Sequence, residues 1–176
     1  MSNFMVLFVF IKTHIIEYQY KLAMSSFNLV QIVPSLDSGG VERGTVDVSN
    51  YLSSNNISNH IISSGGNLLN EINKEFASHC LLPVNSKNFI RYPIIANAIA
   101  NYIKKNKINI LHVRSRVPAW IISLISKKNL QTVSTFHNIY GGESYIKKIY
   151  NKQMSNVNHV IAISNYVKSN IIKKYG

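Results

Sequence analysis

The stretch Asn28-Leu29-Val30-Gln31-Ile32-Val33-Pro34-Ser35-Leu36-Asp37-Ser38-Gly39-Gly40-Val41-Glu42-Arg43-Gly44 sets the fold. A short apolar run (28–33) reads as a buried strand, a turn-forming cluster follows, and a helix begins near Val41. Val41, Thr45, Val48 and Leu52 recur at helical spacing and predict the buried face of that helix. The two glycines at the junction have no Cβ, so a ligand oxygen can approach the backbone. The unpaired N–H groups of a helix start favour an anion. A diphosphate pocket and a plain strand–helix turn both fit this segment.

The same unit repeats along the chain. Strands are predicted at 57–63, 80–82, 109–113, 131–136 and 159–163, alternating with helices at 68–78, 90–106, from Pro118 to about 127, at 144–154 and up to the C-terminal end. In the 90–106 helix, Ile95, Ala98, Ile99, Tyr102 and Ile103 form the apolar stripe. Strict alternation of strand and helix means an α/β, Rossmann-like, doubly wound parallel sheet of about six strands. Polar clusters follow four of the strands: the glycine turn, Arg114-Ser115-Arg116, His137-Asn138-Ile139-Tyr140-Gly141-Gly142 and Ser164-Asn165-Tyr166. In such a sheet they gather at the carboxyl ends of the strands, where ligands bind.

Composition narrows the function. The 176 residues suit one domain, with 46% apolar residues to fill a core. One cysteine, Cys80, excludes an internal disulfide and a cysteine zinc site, and fits a reducing compartment. The formal charge is +12, from 19 basic and 7 acidic residues. Only four cations are arginines, and Arg43, Arg114 and Arg116 fall at the predicted rim. Arginine offers a rigid fork for bidentate anion contact. The lysines are spread over several helices, which favours a solvated surface over nucleic acid. The 144–154 segment is basic and amphipathic, a pattern suited to peripheral contact with an anionic membrane. The six histidines show no metal-ligand spacing, so no metal is expected. His60 and His159 read as structural, while His112, inside an apolar strand, reads either way. The chain lacks a G-x-S-x-G elbow, a P-loop and G-x-G-x-x-G, and the strand at 57–63 ends without an acidic residue for a ribose. A nicotinamide oxidoreductase is thereby weakened. His137, at the end of a predicted strand, is placed to hydrogen-bond a sugar hydroxyl or to shuttle a proton, or it serves its turn alone.

Residues 1–23 break the pattern. The apolar run at 4–11 is too short to span a bilayer, which needs about 20 residues, and it has neither the positive start nor the cleavage site of a signal peptide. A start at Met24 is the simplest expectation, leaving 24–176 as the domain.

These residues, taken in order, resemble the N-terminal half of a GT-B glycosyltransferase of family 4. The matching segments are Ile32-Val33-Pro34-Ser35-Leu36 with Gly39-Gly40-Val41-Glu42-Arg43, then Leu111-His112-Val113-Arg114-Ser115-Arg116, Thr135-Phe136-His137-Asn138 and Val160-Ile161-Ala162-Ile163-Ser164. The resemblance implies sugar transfer from a nucleotide sugar, usually with retention and with neither metal nor cofactor. Gly39 and Gly40, with Glu42 and Arg43, would face the donor diphosphate, and His137, as the catalytic residue, the donor sugar. Arg114 and Arg116, with Asn138, Tyr140 and Ser164, would bind the acceptor, a cell-envelope glycan or glycolipid of the lipopolysaccharide kind. The family's second, donor-binding domain has no counterpart in these residues. The expectation is therefore a half-enzyme, inactive alone and completed by a separately encoded C-terminal domain. The alternative is a non-catalytic acceptor-binding module. A cytoplasmic location, peripheral at the inner face of the membrane, follows from the same resemblance.

Overall fold

The computed structural model describes residues 27–141 and 144–175. The expectations for residues 1–23, for Gly142 and for Gly176 lie outside them. Six strands, β1 (Leu29–Ile32), β2 (Asn59–Ser63), β3 (Ala77–Leu81), β4 (Ile110–Val113), β5 (Gln131–Phe136) and β6 (His159–Ala162), form one sheet in the order β3-β2-β1-β4-β5-β6. Every pairing is parallel. The Rossmann-like α/β sheet is the one the alternation predicts. The chain winds outward from β1 to β3, then crosses back to place β4 on the other side of β1. That reversal opens a crevice between the carboxyl ends of β1 and β4, the position where open α/β sheets bind ligands.

The helices are α1 (Gly40–Ser54), α2 (Tyr92–Lys105), α3 (Arg116–Ile122), α4 (Tyr145–Lys152) and α5 (Asn165–Tyr175). On one side of the sheet, Val30, Ile32, Leu111 and Val113 pack with Ile95 and Ile99 of α2 and Ala119 and Ile122 of α3. A smaller core on the other side joins Val33, Val46, Ile61, Leu68 and Ala77. Beneath α1 the sheet carries Gln31 and Asn59, and the helix answers with small polar residues. Gln31 Nε2 donates to the Thr45 carbonyl (3.0 Å), Ser49 Oγ to Asn59 Oδ1 (2.6 Å) and Asn59 Nδ2 to Ser53 Oγ (3.2 Å). The buried face of α1 is thus Thr45, Val46, Ser49 and Ser53, about one position away from the predicted Val41/Val48/Leu52 stripe. Serine is short enough to let the helix approach the sheet while giving buried amides their partners. In α2 the buried stripe is Tyr92, Ile95, Ala96, Ile99 and Ile103, with Ala98 and Tyr102 at its half-buried margin.

Two helices are shorter than the spacing predicts. The 68–78 segment is a single 3₁₀ turn, Asn67–Glu71, running into β3. Asparagine side chains replace the helical ladder there: Asn50 Nδ2 donates to the Glu71 carbonyl (2.8 Å), the Asn73 N–H to Asn50 Oδ1 (2.8 Å) and the Glu75 N–H to Asn73 Oδ1 (3.0 Å). The third helix ends at Ile122, where Ser123 Oγ donates back to the Trp120 carbonyl (2.6 Å). Among the described residues no helix is long and apolar enough to cross a membrane.

Candidate functional site

The loop from β1 to α1 forms one wall of the crevice. The adjoining loop after β2 holds it: the Leu36 N–H donates to the Gly65 carbonyl (2.7 Å), the Leu68 N–H to the Leu36 carbonyl (2.8 Å) and Ser64 Oγ to the Pro34 carbonyl (2.6 Å). The first helical bond of α1 runs from the Arg43 N–H to the Gly39 carbonyl (2.9 Å). The N–H groups of Gly40, Val41 and Glu42 therefore have no partner within the helix. A Cβ added at Gly40 would meet nothing within 4 Å, so the helix start is open on that side. The Glu42 carboxylate folds back against Gly39. Arg43, exposed, is engaged by Glu71 in the one ion pair among the described residues.

The opposite wall comes from β4 and β5. Arg114 is 7% exposed, and its Nε donates to Gln31 Oε1 (2.9 Å). Its terminal nitrogen lies beside Gly44 of α1, and no ion pair balances it among the described residues. Burial pulls the Arg114 pKa down to about 10, so the cation persists at neutral pH. His112 is buried with its Nε2 2.7 Å from Thr135 Oγ1. Burial, then the Arg114 charge, then His137, lowers its pKa to about 3. His137, at the end of β5, is half-buried, and its buried Nε2 has no hydrogen-bond partner. Its pKa is lowered by burial and by Arg114, partly opposed by Glu42. Both imidazoles are thus neutral at pH 7, beside a buried guanidinium. A buried charge is costly unless paired, and an orphaned imidazole nitrogen calls for a partner.

Four predicted residues, Gly40, Glu42, Arg114 and His137, are thereby brought to one place, with Gly39 at its edge. Arg116 belongs to a neighbouring group. Its guanidinium lies over the Tyr140 ring (4.5 Å) and the Tyr150 ring (5.6 Å) and donates to Asn151 Oδ1 (3.1 Å). Tyr140 is half-buried against Phe136. Asn138 is exposed, and its Oδ1 accepts the Ile139 N–H (2.7 Å). Ser164 caps α5, its Oγ accepting the Val167 N–H (3.2 Å). His60 is structural, bonded to Tyr102 Oη (3.0 Å). Among the described residues no group of histidine, cysteine, aspartate or glutamate could hold a metal ion. The sequence reading did not single out Gln31, which orients Arg114, and left His112 open. Both are polar residues inside apolar strands, which is the signal the sequence carries; the fold then sets them opposite one another in the β1–β4 register.

The sequence model of Glycosyltransferase Family 4 matches residues 38–176. The chain belongs to that family. A glycosyltransferase from Rickettsia africae ESF-5 is 41% identical, with a TM-score of 0.71 over 85% of this chain. The chain spans 40% of that protein's length, as fits the N-terminal half of a GT-B enzyme. At the level of the fold alone, sucrose-phosphate synthase of Thermosynechococcus elongatus (13% identity, TM-score 0.66, 84% of this chain and 45% of that one) is similar. So is the lipopolysaccharide outer core galactosyltransferase WaaB (17%, 0.60, 84% and 42%). No curated protein matches the sequence.

In this family-4 domain, removing the buried cation should be visible at its neighbours. Arg114→Met is expected to raise the pKa of both His112 and His137, because the Arg114 charge lowers each of them. It should also cost about 1–3 kcal/mol by leaving Gln31 Oε1 without its donor. Ring-proton NMR titration together with urea unfolding checks both effects. Unchanged histidine titration would show that the charge does not reach them.

Proposed function

We propose that this domain forms the acceptor-side wall of a retaining glycosyltransferase acting in the cytoplasm. The reaction moves a sugar from a nucleotide sugar to a glycan or glycolipid of the cell envelope, of the lipopolysaccharide kind. One observation carries the reading: α1, whose start at Gly40 is open, lies against the buried, unbalanced cation of Arg114, and the His137 imidazole is within reach of that same charge.

Each part has a role in such a transfer. As the bond from the sugar to the diphosphate breaks, negative charge grows on the leaving oxygen. The free N–H groups of α1 and the Arg114 charge stabilise it without reorganising. His137, neutral in its ground state and half-buried, would have to turn its ring to bring the buried Nε2 to a sugar hydroxyl, and would then hold the sugar at the reacting end. Asn138 and the edge of Tyr140, on the same loop, border the acceptor side. Arg116 acts there through Tyr140, whose ring it covers. Ser164 and Arg43 are engaged by their own partners and contribute through the shape of the rim.

These residues make one wall. A nucleotide sugar needs contacts from a second, supplied by a further domain of the same or another polypeptide. The 176-residue chain by itself is expected to bind donor near or above a millimolar Kd, equivalent to only about 4 kcal/mol. NMR shifts should be confined to Gly39, Gly40 and His137, with no measurable transfer. Adding a matching second domain should restore transfer, and Gly40→Val should then abolish it by filling the open space at the helix start. Robust turnover by the 176-residue chain alone would refute the proposal, because one domain would then hold the whole site.

A further inference from the structure

A cavity lies at the opposite end of the sheet from the crevice. Its volume is about 400 Å³, within the range of small-molecule pockets. Ile108 and Leu130, which lead into β4 and β5, form its floor with Ile103 of α2, and all three are buried. Lys104, Lys107 and Lys128 line it as well, and all three are exposed. None of the described residues that line it is acidic or aromatic. Because Ile108 and Leu130 precede parallel strands, the cavity belongs to the amino rim of the sheet, away from Gly40 and His137.

The fold does not use these three lysines. Among the described residues their ammonium groups have no hydrogen-bond or ion-pair partner. The adjoining Lys127 is engaged instead, its Nζ donating to the Asn156 carbonyl (2.7 Å). The end of α2 has another donor, because the Asn106 carbonyl accepts Asn28 Nδ2 (2.6 Å). The helix dipole favours a cation at that end, which accounts for Lys104 but not for Lys128, well beyond the end of α3. Lys107 is the most telling of the three. It has a φ of 53° and closes α2, its N–H donating to the Lys104 carbonyl (3.3 Å) and the Ile108 N–H to the Ile103 carbonyl (3.0 Å). Glycine or asparagine suits such a left-handed closure, and α1 is closed by Asn56, with a φ of 59°. Lysine is the more strained choice there, so the backbone is not what calls for it.

We propose that this cavity binds a small soluble phosphate monoester with an aliphatic body, its head among the three ammonium groups and its chain on the floor of Ile103, Ile108 and Leu130. Lysine is a compact point charge without the planar fork that arginine offers a carboxylate, which suits the rounded, doubly charged head of a phosphate. Branched aliphatic side chains with no aromatic platform suit an alkyl chain rather than a flat ring. Residues 1–26 do not supply the matching charge, since they carry Lys12 and Lys21 against Glu17 alone. The proposal does not depend on sugar transfer, because the crevice lies at the other rim.

The test is titration of the 176-residue chain with hexyl phosphate, followed by amide NMR and calorimetry, beside inorganic phosphate and 1-hexanol. Hexyl phosphate should shift the Ile108 and Leu130 amides. It should bind at least about tenfold more tightly than inorganic phosphate, a factor that burying two methylenes supplies. It should exceed 1-hexanol by at least about tenfold as well, through its charge. Lys107→Gly should weaken hexyl phosphate about fivefold, the loss of one charge pair. Its urea midpoint should equal the parent's or rise, because relief of the left-handed strain offsets the extra freedom of glycine in the unfolded chain. Adding Lys128→Gln should weaken binding about fivefold again. Inorganic phosphate or 1-hexanol binding as tightly as hexyl phosphate would overturn the proposal, as would binding that the lysine variants retain in full. Shifts confined to Gly40 and His137 would overturn it by putting the anion in the crevice. An absence of shifts at Ile108 and Leu130 would overturn it too, and residues 1–26 or a second copy of the chain would then be what covers the cavity. So would binding to phosphatidic acid vesicles without binding of hexyl phosphate, since the ligand would then be a lipid surface.

Discussion

Moving from about pH 7.5 to about pH 5 is expected to cost this fold about 2 kcal/mol through His112 alone. In the folded chain His112 is 8% exposed, and its pKa is held at about 3 by burial, by the Arg114 charge and by His137. In the unfolded chain it returns to its ordinary value of about 6.5. Across the interval between these values the unfolded state binds a proton that the folded state refuses. Stability is therefore fully present above the unfolded value and is lost as pH falls, by about 1.4 kcal/mol for each pH unit below it. His60, His79 and His137 are lowered by burial as well, and each acts in the same direction. Urea unfolding at the two pH values checks the expectation. His112→Gln keeps a hydrogen-bonding group for Thr135 Oγ1 but cannot titrate, so its pH dependence should be the shallower of the two. Equal stability of the parent at both pH values would show that His112 takes up its proton in the folded state.

The sheet was legible because strands such as β1 and β4 are short apolar runs bounded by polar turn residues. The limits read for 131–136 coincide with β5, whose β-branched residues carry the strand signal. The strand read at 80–82 lies instead at Ala77–Leu81, because Ser78 and His79 break the apolar run. The rim was legible for the same reason: once every strand is parallel, whatever follows each strand lies on one edge. Side-chain partnerships were not legible. Nothing in the local pattern of α1 tells that Ser49 and Ser53 face the sheet, because the cause is Asn59 on another element. The asparagines that replace a helix after Asn67–Glu71 act across the chain in the same way. Charge placed Arg114 and Arg116 at the rim together, yet the fold separates their roles. Arg114 is drawn inward by Gln31 of the adjacent strand, and Arg116 is covered by two tyrosines from a later segment.

A glycine series should separate the residues that shape the crevice from the one that leaves it open. Gly66 has φ of 140°, and a Cβ there would collide with the Leu36 carbonyl group and the Asp37 nitrogen, both backbone. The loops after β1 and β2 touch main chain to main chain at this point, and neither can give way without breaking the bonds that hold Leu36 to Gly65 and Leu68. Gly66→Ala is therefore expected to destabilise the fold by about 3 kcal/mol or more, from backbone strain and steric conflict together. Gly65 shares the left-handed backbone, with φ of 95°, but its added Cβ would only touch the Leu81 side chain at 3.4 Å. Gly65→Ala should cost about 1–2 kcal/mol, the strain alone. Gly40 begins a helix with open space on its Cβ side. Gly40→Ala should leave stability unchanged or raise it by up to about 1 kcal/mol, since alanine loses less backbone freedom in a helix. Urea midpoints of the three variants should fall in the order Gly40→Ala, Gly65→Ala, Gly66→Ala, from most to least stable. That order would show that Gly66 gives the glycine loop its shape while Gly40 leaves room beside the helix start. If Gly40→Ala proved the most damaging instead, the helix start would be packed by the protein itself, and the crevice would have no room for a diphosphate.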